Sequence, residues 1–108
     1  MSIQAWAGVA RTRGLTLLVP ALARLEILSL RPGSAELVAQ LSAHPHVLVI
    51  ELTDSDRDAI ESLLPATGTC DVLAAWVIQT CRRRGWAALT GDPGRLRRLD
   101  PSLETDVL

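Results

Sequence analysis

Three acidic residues far apart in the chain, Glu26, Asp71 and Asp92, occupy positions from which they could share one divalent cation. Asp92 lies two residues past the apolar run Trp86 to Thr90, and Asp71 lies in the first turn of the helical segment that precedes this run. Glu26 lies about two turns into the helical segment that follows another apolar run, Leu15 to Val19. In a parallel sheet every crossover helix starts near the carboxyl edge of the strands and runs back, so all three acids fall at or near one edge. Glu26 is placed roughly 9 Å below that edge, at about 1.5 Å of rise per residue. Clustered carboxylates repel one another, and such a cluster without a cation is unfavourable. Mg²⁺ or Mn²⁺ is the expected cofactor, since these hard ions take oxygen ligands and keep waters. An ion so held orients a water or hydroxide for in-line attack on a phosphodiester and stabilises the leaving oxygen. Each acid also has a plainer reading: Asp71 as a first-turn residue favoured by the helix dipole, Asp92 as a turn residue before Pro93, and Glu26 as a partly exposed helix residue.

The elements that must position these acids follow from the apolar periods. Ser2 to Arg13 reads as a helix, capped by Ser2 and stopped by Gly14. Leu15 to Val19 reads as a buried strand, and Pro20 opens a helix that runs to about Leu30 before Arg31, Pro32 and Gly33 break it. Ser34 to Ala43 is amphipathic, and Val47 to Leu52 is a second strand after the loop His44, Pro45, His46. Thr53 to Leu64 is a cap-rich helix expected to end at Pro65. Cys70 to Arg84 is a long helix closed by Gly85, Trp86 to Thr90 is a third strand, Arg95 to Leu99 is a short helix, and Thr105 to Leu108 is a last edge strand. Buried strands alternating with helices predict an α/β domain with a parallel sheet covered on both faces.

Length and composition narrow the function classes. The chain has 108 residues, 48% of them apolar and 21% charged, which suits one folded domain with one core. Net charge is −1, so no global field draws the chain to nucleic acid or an anionic membrane, and any RNA contact depends on a local patch. All 11 basic residues are Arg, which reflects composition more simply than phosphate recognition. Cys70 and Cys81 stand about 16 Å apart on one helix, too far for a disulfide, and read as small buried hydrophobes in a reducing cytoplasm. Pro20, Arg24 and Glu26 interrupt the longest apolar stretch, so no membrane span is expected, and the amino terminus lacks the features of a signal peptide.

Other chemistry-bearing residues are placed by the same topology. Asp54, Asp56 and Asp58 follow the second strand and read as helix caps, although one could join the acids. His44 and His46 precede that strand and belong at the opposite edge. Arg82, Arg83 and Arg84 suit a helix end far from the acids. Arg95, Arg97 and Arg98 are better placed for RNA phosphate, because their helix starts beside Asp92. Trp6, Trp76 and Trp86 sit in apolar patterns and read as core, so no base-stacking platform is expected.

From Leu15 to the end the chain resembles the PIN-domain family of metal-dependent ribonucleases, which includes the toxins of bacterial toxin–antitoxin pairs. The residues that carry the resemblance are Val19, Pro20, Ala21 and Leu22 followed by Glu26; Asp71 followed by Leu73, Ala74 and Ala75 with Arg84 and Gly85; and Leu89, Thr90, Gly91, Asp92 and Pro93. The resemblance implies a PIN-like layered α/β fold, an RNA substrate, Mg²⁺ or Mn²⁺ held by Glu26, Asp71 and Asp92, and an antitoxin-like protein partner. In the family a strand bearing a fourth acid comes before the helix that is Ser2 to Arg13 here, and this sequence begins at that helix. That departure implies weakened activity, or a non-catalytic binding module. It also implies a homodimer, because a parallel sheet without its middle strand must pair Leu15 to Val19 with Trp86 to Thr90 or leave apolar edges to be covered.

Overall fold

Ser2 starts the first helix, α1 (Ile3–Arg13), by accepting the Ala5 N–H on its hydroxyl at 3.2 Å. Gly14 ends it at φ 68°, a left-handed conformation that glycine adopts without a Cβ clash. The structure, a computed structural model, describes residues 2–108. Its contacts divide into two units, the first running to Glu51 and the second Leu52–Leu108.

In the first unit, β1 (Leu17–Pro20) pairs in parallel with β2 (Val47–Ile50), Leu17 opposite Val47 and Pro20 opposite Ile50. The crossover contains α2 (Ala21–Leu30), a single 3-10 turn Pro32–Ser34, and α3 (Ala35–Ser42). Pro20 ends the strand and stands at the cap of α2, where its missing N–H leaves no bond unmade. At the strand entrances the ring Nδ1 of His46 donates to the Leu15 carbonyl at 3.0 Å, and the Nδ1 of His44 accepts the His46 N–H at 3.1 Å. Both histidines thus precede β2, at the amino edge.

In the second unit, α4 (Asp54–Thr67) packs on α5 (Val72–Arg84), and β3 (Ala88–Thr90) pairs in parallel with β4 (Thr105–Val107) across the short helix α6 (Pro93–Arg97). The core of this unit gathers Ala74, Ile78 and Cys81 of α5, Ala88 of β3, Leu96 of α6 and Leu103, with Leu63, Val77 and Leu99 packed against them. Burying such a cluster is the main favourable contribution to its folding.

Four expectations need correction. The strands form two two-stranded parallel sheets, β1 with β2 and β3 with β4, in place of one sheet. Helix α4 runs through Pro65 and ends at Gly68, φ 68°. Pro65 lacks the N–H that would bond back to the Glu61 carbonyl, yet the helix continues two residues further and the Gly68 N–H reaches the carbonyls of Leu64 and Pro65. Cys70 is exposed, because it lies in the loop before α5 rather than on that helix; Cys81 is buried. Trp86 is 47% exposed, because β3 begins two residues later at Ala88. Among the described residues no helix is long and apolar enough to cross a membrane.

Candidate functional site

Asp71 and Asp92 are set in place by the same local device. The Asp71 N–H donates to Thr69 Oγ1 at 3.1 Å, and Asp71 Oδ1 accepts the Ala74 N–H at 3.1 Å, so Asp71 is the cap of α5 rather than a residue of its first turn. In the same way the Asp92 N–H donates to Thr90 Oγ1 at 3.0 Å, and Asp92 Oδ1 accepts the Arg95 N–H at 3.2 Å, capping α6. A threonine two residues before an aspartate fixes its backbone, and the aspartate then satisfies an N–H that the new helix would leave orphaned. Asp92 follows the carboxyl end of β3 by two residues, as the sequence predicts.

Arg95 joins these two acids. Its Nε donates to Asp71 Oδ2 at 2.6 Å and a terminal guanidinium nitrogen donates to Asp71 Oδ1 at 2.8 Å, a two-pronged grip on one carboxylate. Its backbone N–H is the group that Asp92 caps. The Arg95 guanidinium beside Asp71 holds that carboxyl below the usual carboxylate range; burial opposes the shift, and the Ala74 N–H adds to it. The pair is about one-third exposed, so water reaches it.

Glu26 lies on α2 in the first unit, half-buried and six residues past the end of β1. Asp71, Asp92 and Arg95 all belong to the second unit. Among the described residues, no group of three or more His, Cys, Asp or Glu side chains suited to a metal comes together. In donor chemistry the acids suit a hard cation: Asp92 is solvent-exposed and uses Oδ1 alone, and Asp71 presents both oxygens to a positive charge. The positive charge against Asp71 is the guanidinium. Sequence reasoning placed Arg95 near RNA phosphate and missed its grip on Asp71. No spacing along the chain signals that grip, which joins two helix starts 24 residues apart.

Several other charged residues make structural contacts. Asp56 is buried and forms a capping box with Thr53, with its Oδ1 3.3 Å from Arg83. That contact is an ion pair by distance, although its alignment falls outside hydrogen-bond geometry. Asp54 approaches Arg57 at 3.7 Å. Asp100 is buried, accepts from Ser102 and from Arg82, and is held below the ordinary carboxylate range first by the Ser102 hydroxyl and then by Arg82. Arg84 lies over the Trp86 ring at 5.1 Å. No family model matches the chain, and no curated protein or solved structure matches it either.

Proposed function

We propose that the chain is a PIN-like metal-dependent endoribonuclease domain that hydrolyses RNA phosphodiesters with Mg²⁺ or Mn²⁺ held by Glu26, Asp71 and Asp92. The observation that supports this reading is the pair of acids capping α5 and α6, both gathered on Arg95 beside the carboxyl end of β3. A bound hard cation would supply an activated water and stabilise the leaving oxygen. The chain's own residues would do the rest: Asp71 and Asp92 present fixed carboxylates from helix caps, and Arg95 offers a phosphate-shaped fork. A toxin role with an antitoxin-like partner follows from the same resemblance.

Mn²⁺ calorimetry tests the site directly. Wild-type protein is expected to bind Mn²⁺ weakly, and Glu26→Gln, Asp71→Asn and Asp92→Asn are each expected to abolish binding, non-additively because they share one ion. Asp58→Asn, an exposed position on α4, is expected to change little. No heat of binding, or binding indifferent to all three substitutions, would defeat the metal-site reading.

A second reading, a non-catalytic binding or homodimerisation module, is favoured by the exposed apolar side chains of the first unit. Leu25 and Leu30 of α2 and Leu48 of β2 are all more than half exposed, and Ala21, Arg24, Leu25, Leu28 and Glu51 line a groove there. Light scattering distinguishes it: a monomer up to high micromolar concentration would count against self-association.

A further inference from the structure

Resting on the self-association reading above, we propose that the groove between α2 and the end of β2 is the interface of a two-fold homodimer, in which Arg24 of each copy pairs with the partner's Glu51. Ala21, Arg24, Leu25 and Leu28 fall at the i, i+3, i+4 and i+7 positions of α2, the stripe that a helix usually turns to a core. Here the stripe lines an open groove: α2 has no fully buried residue, and Leu25 is 63% exposed. Glu51 completes the lining, one residue past β2. It stands there because α2 begins where β1 ends, and the parallel pairing of β1 with β2 brings both strand ends to one edge.

The charges on this groove choose its occupant. The Arg24 Nε is buried with no hydrogen-bond partner, and among the described residues neither the Arg24 guanidinium nor the Glu51 carboxylate is ion-paired. A guanidinium half-sunk in an apolar stripe is unfavourable until a carboxylate meets it. The groove therefore carries one unmet cation and one unmet anion on apolar walls. A two-fold contact repeats every pairing, residue i on j and j on i, so a surface with one group of each sign satisfies itself twice. The exposed Leu25 of each copy then packs on the partner's stripe and leaves water. RNA and an anionic membrane fit this surface poorly, since Glu51 would face their phosphates and the lining holds a single cation. Five lining residues are far fewer than the roughly 20 to 30 a side of a standard interface, so the dimer is expected to be weak, with Kd on the order of tens of micromolar.

Sedimentation equilibrium of the full chain, up to high micromolar concentration, tests the interface with wild type, Arg24→Glu, Glu51→Arg and an equimolar mixture of these two variants. Wild type is expected to dimerise. Each single variant sets like charges against each other at both pairs and should weaken the dimer roughly tenfold or more. The mixture should dimerise within about threefold of wild type, because a copy with two acids meets a copy with two arginines. That recovery shows that both variants fold, and pairing within one chain would not produce it. Leu25→Gln should weaken the dimer roughly fivefold through lost apolar burial. Wild type that stays monomeric at every concentration overturns this interface and the self-association reading together. A wild-type dimer that all three substitutions leave intact overturns this interface alone, the chain then associating through another surface. Single variants that weaken the dimer without recovery in the mixture overturn the pairing of Arg24 with Glu51.

Discussion

Arg95 holds Asp71 through two hydrogen bonds, of 2.6 and 2.8 Å, across 24 residues of sequence, while the same aspartate caps helix α5. Asp71 therefore carries two structural roles that substitutions separate. Asn caps a helix about as well as Asp, so Asp71→Asn should lose only the ionic part, about 1 kcal/mol of stability for a partly exposed pair. Asp71→Ala should lose the cap as well, about 2 kcal/mol in all. Urea unfolding midpoints at neutral pH measure both.

Acid should weaken the fold through Asp71 and Asp100. Both carboxyls are held below the ordinary value of 3.8, by Arg95 first in one case and by the Ser102 hydroxyl first in the other. A depressed folded pKa means that the unfolded chain takes up protons first, so the stabilisation is fully present above the unfolded value and is lost as pH falls through the folded one. The melting temperature should thus drop as pH falls below 3.8. An Asp71→Asn, Asp100→Asn double variant should start lower and fall less steeply over that range.

The two thiols should differ sharply in reactivity. Cys70 is exposed in the loop before α5, whereas Cys81 is buried and burial pushes its thiol up. A colourless-to-yellow disulfide reagent should modify one thiol of the native protein promptly and the second only as fast as the second unit opens. Cys70→Ser should abolish the prompt phase alone.

Ile78 is fully buried at the centre of the second unit's core. Ile78→Ala should cost about 3 to 4 kcal/mol, a large share of a small domain's stability of roughly 5 to 15 kcal/mol. Val107→Ala, on a strand residue 58% exposed, should stay within about 0.5 kcal/mol. Thermal melts of the two variants side by side make the comparison.

Local chemistry was legible in the sequence, and reach across it was not. Ser2, Gly14, Thr53 and Gly85 mark helix ends that the structure keeps, because caps and left-handed glycines act within a few residues. The sequence reads Asp71 and Asp92 as a first-turn and a turn residue, and the structure makes each the cap of its helix. Pro65 misled, since the end of α4 is decided by Gly68 rather than by the loss of one N–H. Trp86 misled because its N–H still bonds back to the Cys81 carbonyl, which delays the strand to Ala88. The grip of Arg95 on Asp71 depends on a side chain spanning from one helix start to another, and no spacing along the chain encodes that. Pairing was equally invisible: parallel apolar runs do not specify which partner each strand takes, and the sheets β1–β2 and β3–β4 are the outcome.

The exposed Trp86 gives the protein an optical character of its own. The chain has three tryptophans and neither Tyr nor Phe, so its ultraviolet absorption near 280 nm and its intrinsic emission come from tryptophan alone. Trp76 is 3% exposed and Trp86 is 47% exposed with the Arg84 guanidinium against its ring. Trp76 therefore contributes a blue component from an apolar surrounding and Trp86 a red one from a hydrated ring, with the half-buried Trp6 of α1 between them, and a neutral collisional quencher strips the Trp86 component first. The readily quenched fraction then reports on the turn that joins α5 to β3 separately from the core.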